Sequence, residues 1–210
     1  MPENDEGYFA ARAEDALFVK VAGAANLSNA PDFDLFASSE IDNGVTRICV
    51  DLGACTGMDS TFMGTLVGLG KRCDAAGGEL VLVNAEGTNR RLLDMLGLSS
   101  VLPVLPRREV PELQYVRVAE ISTQDVVKRM ERVKAAHQHL VGLSDRNREQ
   151  FSAFLEALEG DLEKQRERIR RRSSTSQALE AKEGEEKDAG EAGDGGQAPD
   201  LDADPPAPGE

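Results

Sequence analysis

Two short apolar runs limit what this chain can fold into more than any other feature. VTRICVD (45–51) and ELVLVN (79–84) are rich in β-branched residues and free of breakers. Runs of that kind read as central strands covered on both faces. Between them lies the loop GACTGMD and then a helical segment from about Ser60 to Ala76. Gly77-Gly78 closes that helix in the manner of a left-handed C-cap. Strand, helix, strand makes the two strands parallel neighbours joined by a crossover, so the fold class is α/β.

The alternation extends in both directions. ALFVKVA (16–22) reads as a strand, and DFDLFASSEID (32–42) as a short helix with Phe33, Phe36 and Ala37 on one side. Asn43-Gly44 is the turn that follows. GTNRRLLDML (87–96) is helical and ends at Gly97. VLPVL (101–105) is a short strand that Pro103 confines to an edge. These elements make a small α/β domain over residues 15–120, preceded by an N-terminal extension, 1–14.

Beyond it, Ser122-Thr123-Gln124-Asp125 offers a helix cap. Val126, Met130, Val133, His137 and Leu140 then recur at spacings of four and three, and Phe151, Leu155, Leu158, Leu162 and Ile169 continue the rhythm. Residues 121–172 are therefore one or two amphipathic helices. Either they pack against the domain or they pair with a second protomer as a homodimer. From Ser173 to Glu210 there are eleven Asp/Glu and two Lys with almost no large apolar side chain. Such a stretch cannot bury enough surface to offset chain entropy, and it reads as a disordered acidic tail. The cluster Arg166, Arg168, Arg170, Arg171 and Arg172 just before it reads as a solvated helix end, with no direct nucleic-acid binding expected.

Several kinds of chemistry lack their residues. Cys49, Cys55 and Cys73 are odd in number and have no C-x-x-C spacing, so reduced thiols are expected. His137 and His139 stand two apart in a helical pattern, not the four that a metal pair prefers. No cofactor and no metal is implied. With no apolar run near the ~18 residues of a membrane span and an acidic start, a cytoplasmic location is expected.

The candidate site is MDSTFMGTL (58–66), at the start of the central helix. A catalytic serine needs an adjacent base, and both histidines lie far away in the C-terminal segment. G-x-S-x-G, the phosphate-loop pattern and a helix-opening G-x-G-x-x-G are all missing around Ser60. An enzyme is not expected. Asp59 or Ser60 would serve as N-cap. Gly64, Thr65 and Gly68 would let the helix lie close to the sheet.

The order of these pieces resembles the STAS domain of bacterial anti-sigma factor antagonists. The carriers are Asp51-Leu52, Asp59-Ser60-Thr61, Gly77-Gly78-Glu79-Leu80-Val81-Leu82, Leu92-Leu93 and Gly97-Leu98, clearest over residues 45–105. The resemblance implies a small mixed sheet with packed helices and a regulatory, non-enzymatic phosphoprotein. It implies an anti-sigma factor with serine kinase activity as partner and a serine phosphatase as its counterpart. It assigns phosphorylation to Ser60, with Thr61 as runner-up, and partner binding to Asp59, Ser60, Thr61 and Phe62. Where the family has Gly, this chain has Phe62, which either lies beside the phosphosite or turns inward as core. The Ser60 hydroxyl is expected to be exposed. The readings from other classes are an accessory subunit of a membrane transport complex and a dimeric scaffold.

Overall fold

The computed structural model describes the backbone of residues 6–119 and 125–191, and side chains as far as Arg172. Among the described residues, six strands form one mixed sheet. They are β1 (Gly7–Ala13), β2 (Ala16–Ala25), β3 (Arg47–Met58), β4 (Glu79–Val83), β5 (Val104–Leu105) and β6 (Val116–Arg117). Their spatial order is β5-β4-β3-β2-β1-β6. β2, β3, β4 and β5 are parallel to one another, while β1 runs antiparallel to both β2 and β6. The helices are α1 (Ala30–Asp42), α2 (Ser60–Ala75), α3 (Gly87–Met95), α4 (Val126–Val141) and α5 (Asp145–Glu191).

The strand at the N-terminus corrects the reading of residues 1–14 as an extension. All of β1 pairs with β2, from Gly7 opposite Ala22 to Ala13 opposite Ala16. The turn between them is Glu14-Asp15, with Glu14 at φ 55. Neither residue is the Gly or Asn that normally announces such a hairpin, so the signal was hidden. Tyr8 brings its ring into the core, 4.8 Å from Phe33 and 6.0 Å from Phe62, centroid to centroid.

Two further readings shift. β3 does not stop at Asp51; it pairs with β2 through Met58, so the presumed loop GACTGMD is mostly strand. Nor is it covered on both faces. Ile48, Val50 and Leu52 are buried, while Arg47 is exposed and Cys49 and Asp51 are half-buried. In β4, Leu80 and Leu82 are buried while Val81, between them, is half-buried. The period is two. The helix-bearing face is closed, and the opposite face is a cleft of about 260 Å³ lined by Phe18, Cys49, Val81 and Pro111 among others. Gly77, at φ 77, ends α2 in the left-handed conformation that the sequence called for. β5 lies at the sheet edge, as Pro103 required. Cys49, Cys55 and Cys73 are free thiols. Burial pushes Cys49 and Cys73 up to about 11, which keeps them protonated and unreactive near neutrality.

Asp125 caps α4 through its carboxylate, which accepts from Lys128 N. Ser122, Thr123 and Gln124 lie outside the described residues. The chain divides into two compact units at Gln165. The second is helical through Glu191, past the Arg172 boundary from which a disordered tail is expected, and residues 192–210 lie outside the described residues. The arginines from Arg166 to Arg172 are exposed.

If β1 is part of the domain, deleting residues 1–13 removes a full sheet partner and two buried rings, Tyr8 and Phe9. The melting midpoint is expected to fall by about 10 °C or more, since roughly 2–4 °C accompanies each kcal/mol in a chain of this size. An unchanged midpoint on a thermal circular dichroism scan would make the segment an appendage after all.

Candidate functional site

The site begins where β3 becomes α2. β2 and β3 end side by side, and Asp59 N donates to Ala25 O at 3.1 Å. Asp59 has extended backbone geometry, so its side chain can turn back over the helix start. Its Oδ1 accepts from Phe62 N at 3.0 Å, and its Oδ2 accepts from Leu27 N at 2.7 Å. One carboxylate therefore caps α2 and holds the loop after β2 beside it. A negative charge at that end also suits the helix dipole.

Asp59 thus fixes which way the next three residues point. Ser60, the first helical residue, faces outward and is half-buried. Thr61 is buried, at 4% exposure. Phe62 is completely buried, and its ring lies 5.9 Å from that of Phe33. The assignment of Phe62 to the partner-binding surface is thereby corrected: the side chain is core, held inward by the cap hydrogen bond on its own N–H. Thr61, the runner-up for modification, is likewise inside. The site residues brought together at the surface are Asp59 and Ser60.

The expected exposure of the Ser60 hydroxyl is corrected too. Its Oγ lies 3.0 Å from Nε2 of His137 on α4. The direction of that bond follows from the other ring nitrogen. His137 Nδ1 is 2.9 Å from Val133 O, and a carbonyl can only accept. Nδ1 therefore carries the proton of the neutral ring, and Nε2 accepts from the serine hydroxyl. His137 is 3% exposed and packs against Phe154 and Phe151 of α5, with ring centroids 4.4 and 5.3 Å away. Burial lowers its pKa, opposed by the Val133 hydrogen bond and by the charge of Asp59. Burial also lowers His139, with Lys71 adding to the effect and Asp34 opposing it.

The small residues of α2 serve α4 rather than the sheet. A Cβ at Gly64 would stand 2.1 Å from Ala136 O, and one at Gly68 would stand 2.7 Å from the His139 ring. Only glycine permits α4 to lie this close. The sequence held two signals for this packing: a histidine inside an apolar stripe, and two glycines one helical turn apart. Neither says which surfaces meet.

Residues 10–110 match the family model of the STAS domain. A curated relative described as a candidate anti-sigma factor antagonist, BtrV of Bordetella bronchiseptica, is 26% identical over 98 residues, covering 47% of this chain and 84% of that protein. The solved anti-sigma factor antagonist SpoIIAA in its unphosphorylated form is 19% identical, covering 49% of this chain and 90% of its own, with a TM-score of 0.46. An anti-sigma factor antagonist of Mycobacterium paratuberculosis is 17% identical, covering 50% and 89%, with a TM-score of 0.45. Over residues 10–110 the chain thus carries the STAS-domain pattern. Among the described residues, no helix is long and apolar enough to cross a membrane.

Two outcomes test this geometry. Phe62→Ala should cost about 3–5 kcal/mol in denaturant unfolding, as for a buried ring; a loss below ~1 kcal/mol would return Phe62 to the surface. The second outcome concerns pH. Both imidazoles have lowered pKa values in the folded chain, so the unfolded chain takes up protons first. Their contribution is complete above about pH 6.5, the ordinary histidine value, and declines as the pH falls below it. His137→Leu should flatten the stability profile between about pH 7 and pH 5. An unaltered slope would mean that His137 is not buried neutral.

Proposed function

We propose that this chain is an anti-sigma factor antagonist in a phosphorylation-controlled partner-switching pathway, with Ser60 as the switch. The observation that carries the reading is the position of Ser60: first residue of α2, directly after the capping Asp59, inside a STAS domain. In this reading the unmodified chain binds an anti-sigma factor that is also a serine kinase. Phosphorylation of Ser60 releases that partner, and a serine phosphatase restores binding. The protein works in the cytoplasm and performs no catalysis of its own. The domains act as a STAS module over 15–120 with β1 added, and a C-terminal segment appended to it.

Electrostatics supports the switch. A phosphate on Ser60 adds roughly −1.5 to −2 charges near neutral pH. The first turn of α2 offers unpaired N–H groups and the positive end of the dipole, so the fold tolerates the anion. A docked protein faces something different: a hydrated dianion beside the Asp59 carboxylate. Desolvating it without a new cation opposes binding.

The Ser60–His137 pair also has the spacing of a nucleophile and its base. What covers the hydroxyl, however, is helix α4 and not a substrate cleft. The base is itself packed under Phe151 and Phe154. A binding switch accounts for the position of Ser60 without a substrate.

The test is affinity for the host's anti-sigma factor by calorimetry, with mass-spectrometric mapping after incubation with that factor and ATP. Ser60→Ala is expected to bind at least as well as wild type and to take up no phosphate. Ser60→Asp is expected to bind at least tenfold more weakly, about 1.4 kcal/mol. Equal affinity for all three, with no phosphate at Ser60 in wild type, would remove the reading.

A further inference from the structure

The way α4 is seated carries an inference that rests on this reading of Ser60 and deepens it. α4 covers the Ser60 hydroxyl and the adjacent face of α2 together. Its Ala136 backbone sits on Gly64, its His139 ring on Gly68, and its His137 accepts from Ser60. Arg129 reaches Asp32 at 3.8 Å and also the Ser28 carbonyl, and Arg132 pairs with Asp34. The helix thus presents basic residues to an acidic edge on α1 and a small residue to a glycine on α2.

We propose that the face of α2 bearing Ser60, Gly64 and Gly68 is a helix-docking surface, that α4 is its internal occupant, and that a partner reading Ser60 must displace α4 with a helix of the same chemistry. That helix carries basic residues toward Asp32 and Asp34 and a small residue at the crossing with Gly64.

The interface has the character of one that opens. The residues of α4 that are buried are Val133, Ala136, His137 and Leu140, a narrow stripe that includes a histidine. Half-buried Val141 adds to that stripe, and polar ties come from Arg129, Arg132 and the Ser60–His137 hydrogen bond. At the junction with α5, buried Asn147 donates to Leu96 O and Leu140 O, yet its Oδ1 has no hydrogen-bond partner among the described residues. Opening restores water to that acceptor. Closure lowers apparent partner affinity by the fraction of molecules that are open.

A reducible staple tests this in the full chain. Gly68→Cys with His139→Cys places two thiols where glycine and imidazole now touch, and any effect of losing those side chains is common to the oxidised and reduced forms. Oxidised, the staple is expected to weaken anti-sigma factor binding at least tenfold relative to the reduced form of the same protein. Equal affinity in the two forms overturns the proposal. Hydrogen exchange of the full wild-type chain gives the partner-independent readout. α4 amides are expected to exchange at least tenfold faster than the β3 and β4 amides, and the Ala136→Glu variant to lose α4 protection while those strands keep theirs. If α4 and the strands lose protection together in both proteins, α4 is core and the proposal fails. If α4 opens alone but no form binds the anti-sigma factor, the removable helix stands and the partner-switching reading falls.

Discussion

Everything about the site depends on one carboxylate. Asp59 closes the parallel pairing of β2 and β3, caps α2 through Phe62 N and holds Leu27 N with its second oxygen. These bonds set the rotation of α2 about its own axis. With the helix so turned, residue 60 faces outward, residues 61 and 62 face inward, and residues 64 and 68 line up beneath α4. A helix started one residue earlier or later would turn every one of these side chains by about 100°, the angular step of a 3.6-residue period. The cap therefore encodes a surface as well as a helix end.

On that surface, the absence of side chains is as informative as their presence. Gly64 and Gly68 weaken α2 as an isolated helix, since each glycine is worth roughly 1 kcal/mol less than alanine in a helix interior. Their compensation is the close approach of α4, whose Ala136 carbonyl occupies the space a methyl group would need. That approach in turn allows the ring of His137 to reach the Ser60 hydroxyl. The neutral tautomer matters here. A ring with its proton held by Val133 O can only accept at Nε2, so it is matched to a hydroxyl and mismatched to a phosphate dianion, which offers no proton in return.

How much of this was legible depends on the range of the interaction. The parallel strands, the crossover helix and its Gly77 ending follow from local patterns, because a period of two or 3.6 and a left-handed glycine are properties of neighbours in sequence. β1 is hidden because its turn, Glu14-Asp15, uses neither Gly nor Asn. Gly53 and Gly57 look like loop residues, yet β3 runs on along β2 past both with two register shifts. Asp59 and Ser60 could be recognised from an Asp-Ser-Thr motif after a strand, but the inward turn of Phe62 could not. It depends on which side of the helix meets Phe33 and Tyr8. The Ser60–His137 bond joins residues 77 apart, and a lone histidine in an apolar stripe does not name its partner. Distance along the chain likewise conceals that His137 stands beside Ser60.

A surface with an internal occupant behaves differently from a bare one. Two ligands that compete for one face are linked, and the linkage is reciprocal: whatever stabilises α4 on α2 weakens an external helix by the same factor, and a bound partner opens α4 by that factor. In the partner-switching reading, affinity is then set by two groups on one hydroxyl. Unmodified, Ser60 donates to His137 and adds to closure. Phosphorylated, it withdraws that proton, brings a dianion against a neutral buried ring and a carboxylate, and disfavours both α4 and an incoming helix unless one of them supplies a cation. His137 can become that cation only by taking a proton against the desolvation that lowers its pKa. The same residue that latches the unmodified site is thus the one whose protonation decides whether α4 can cover the modified one.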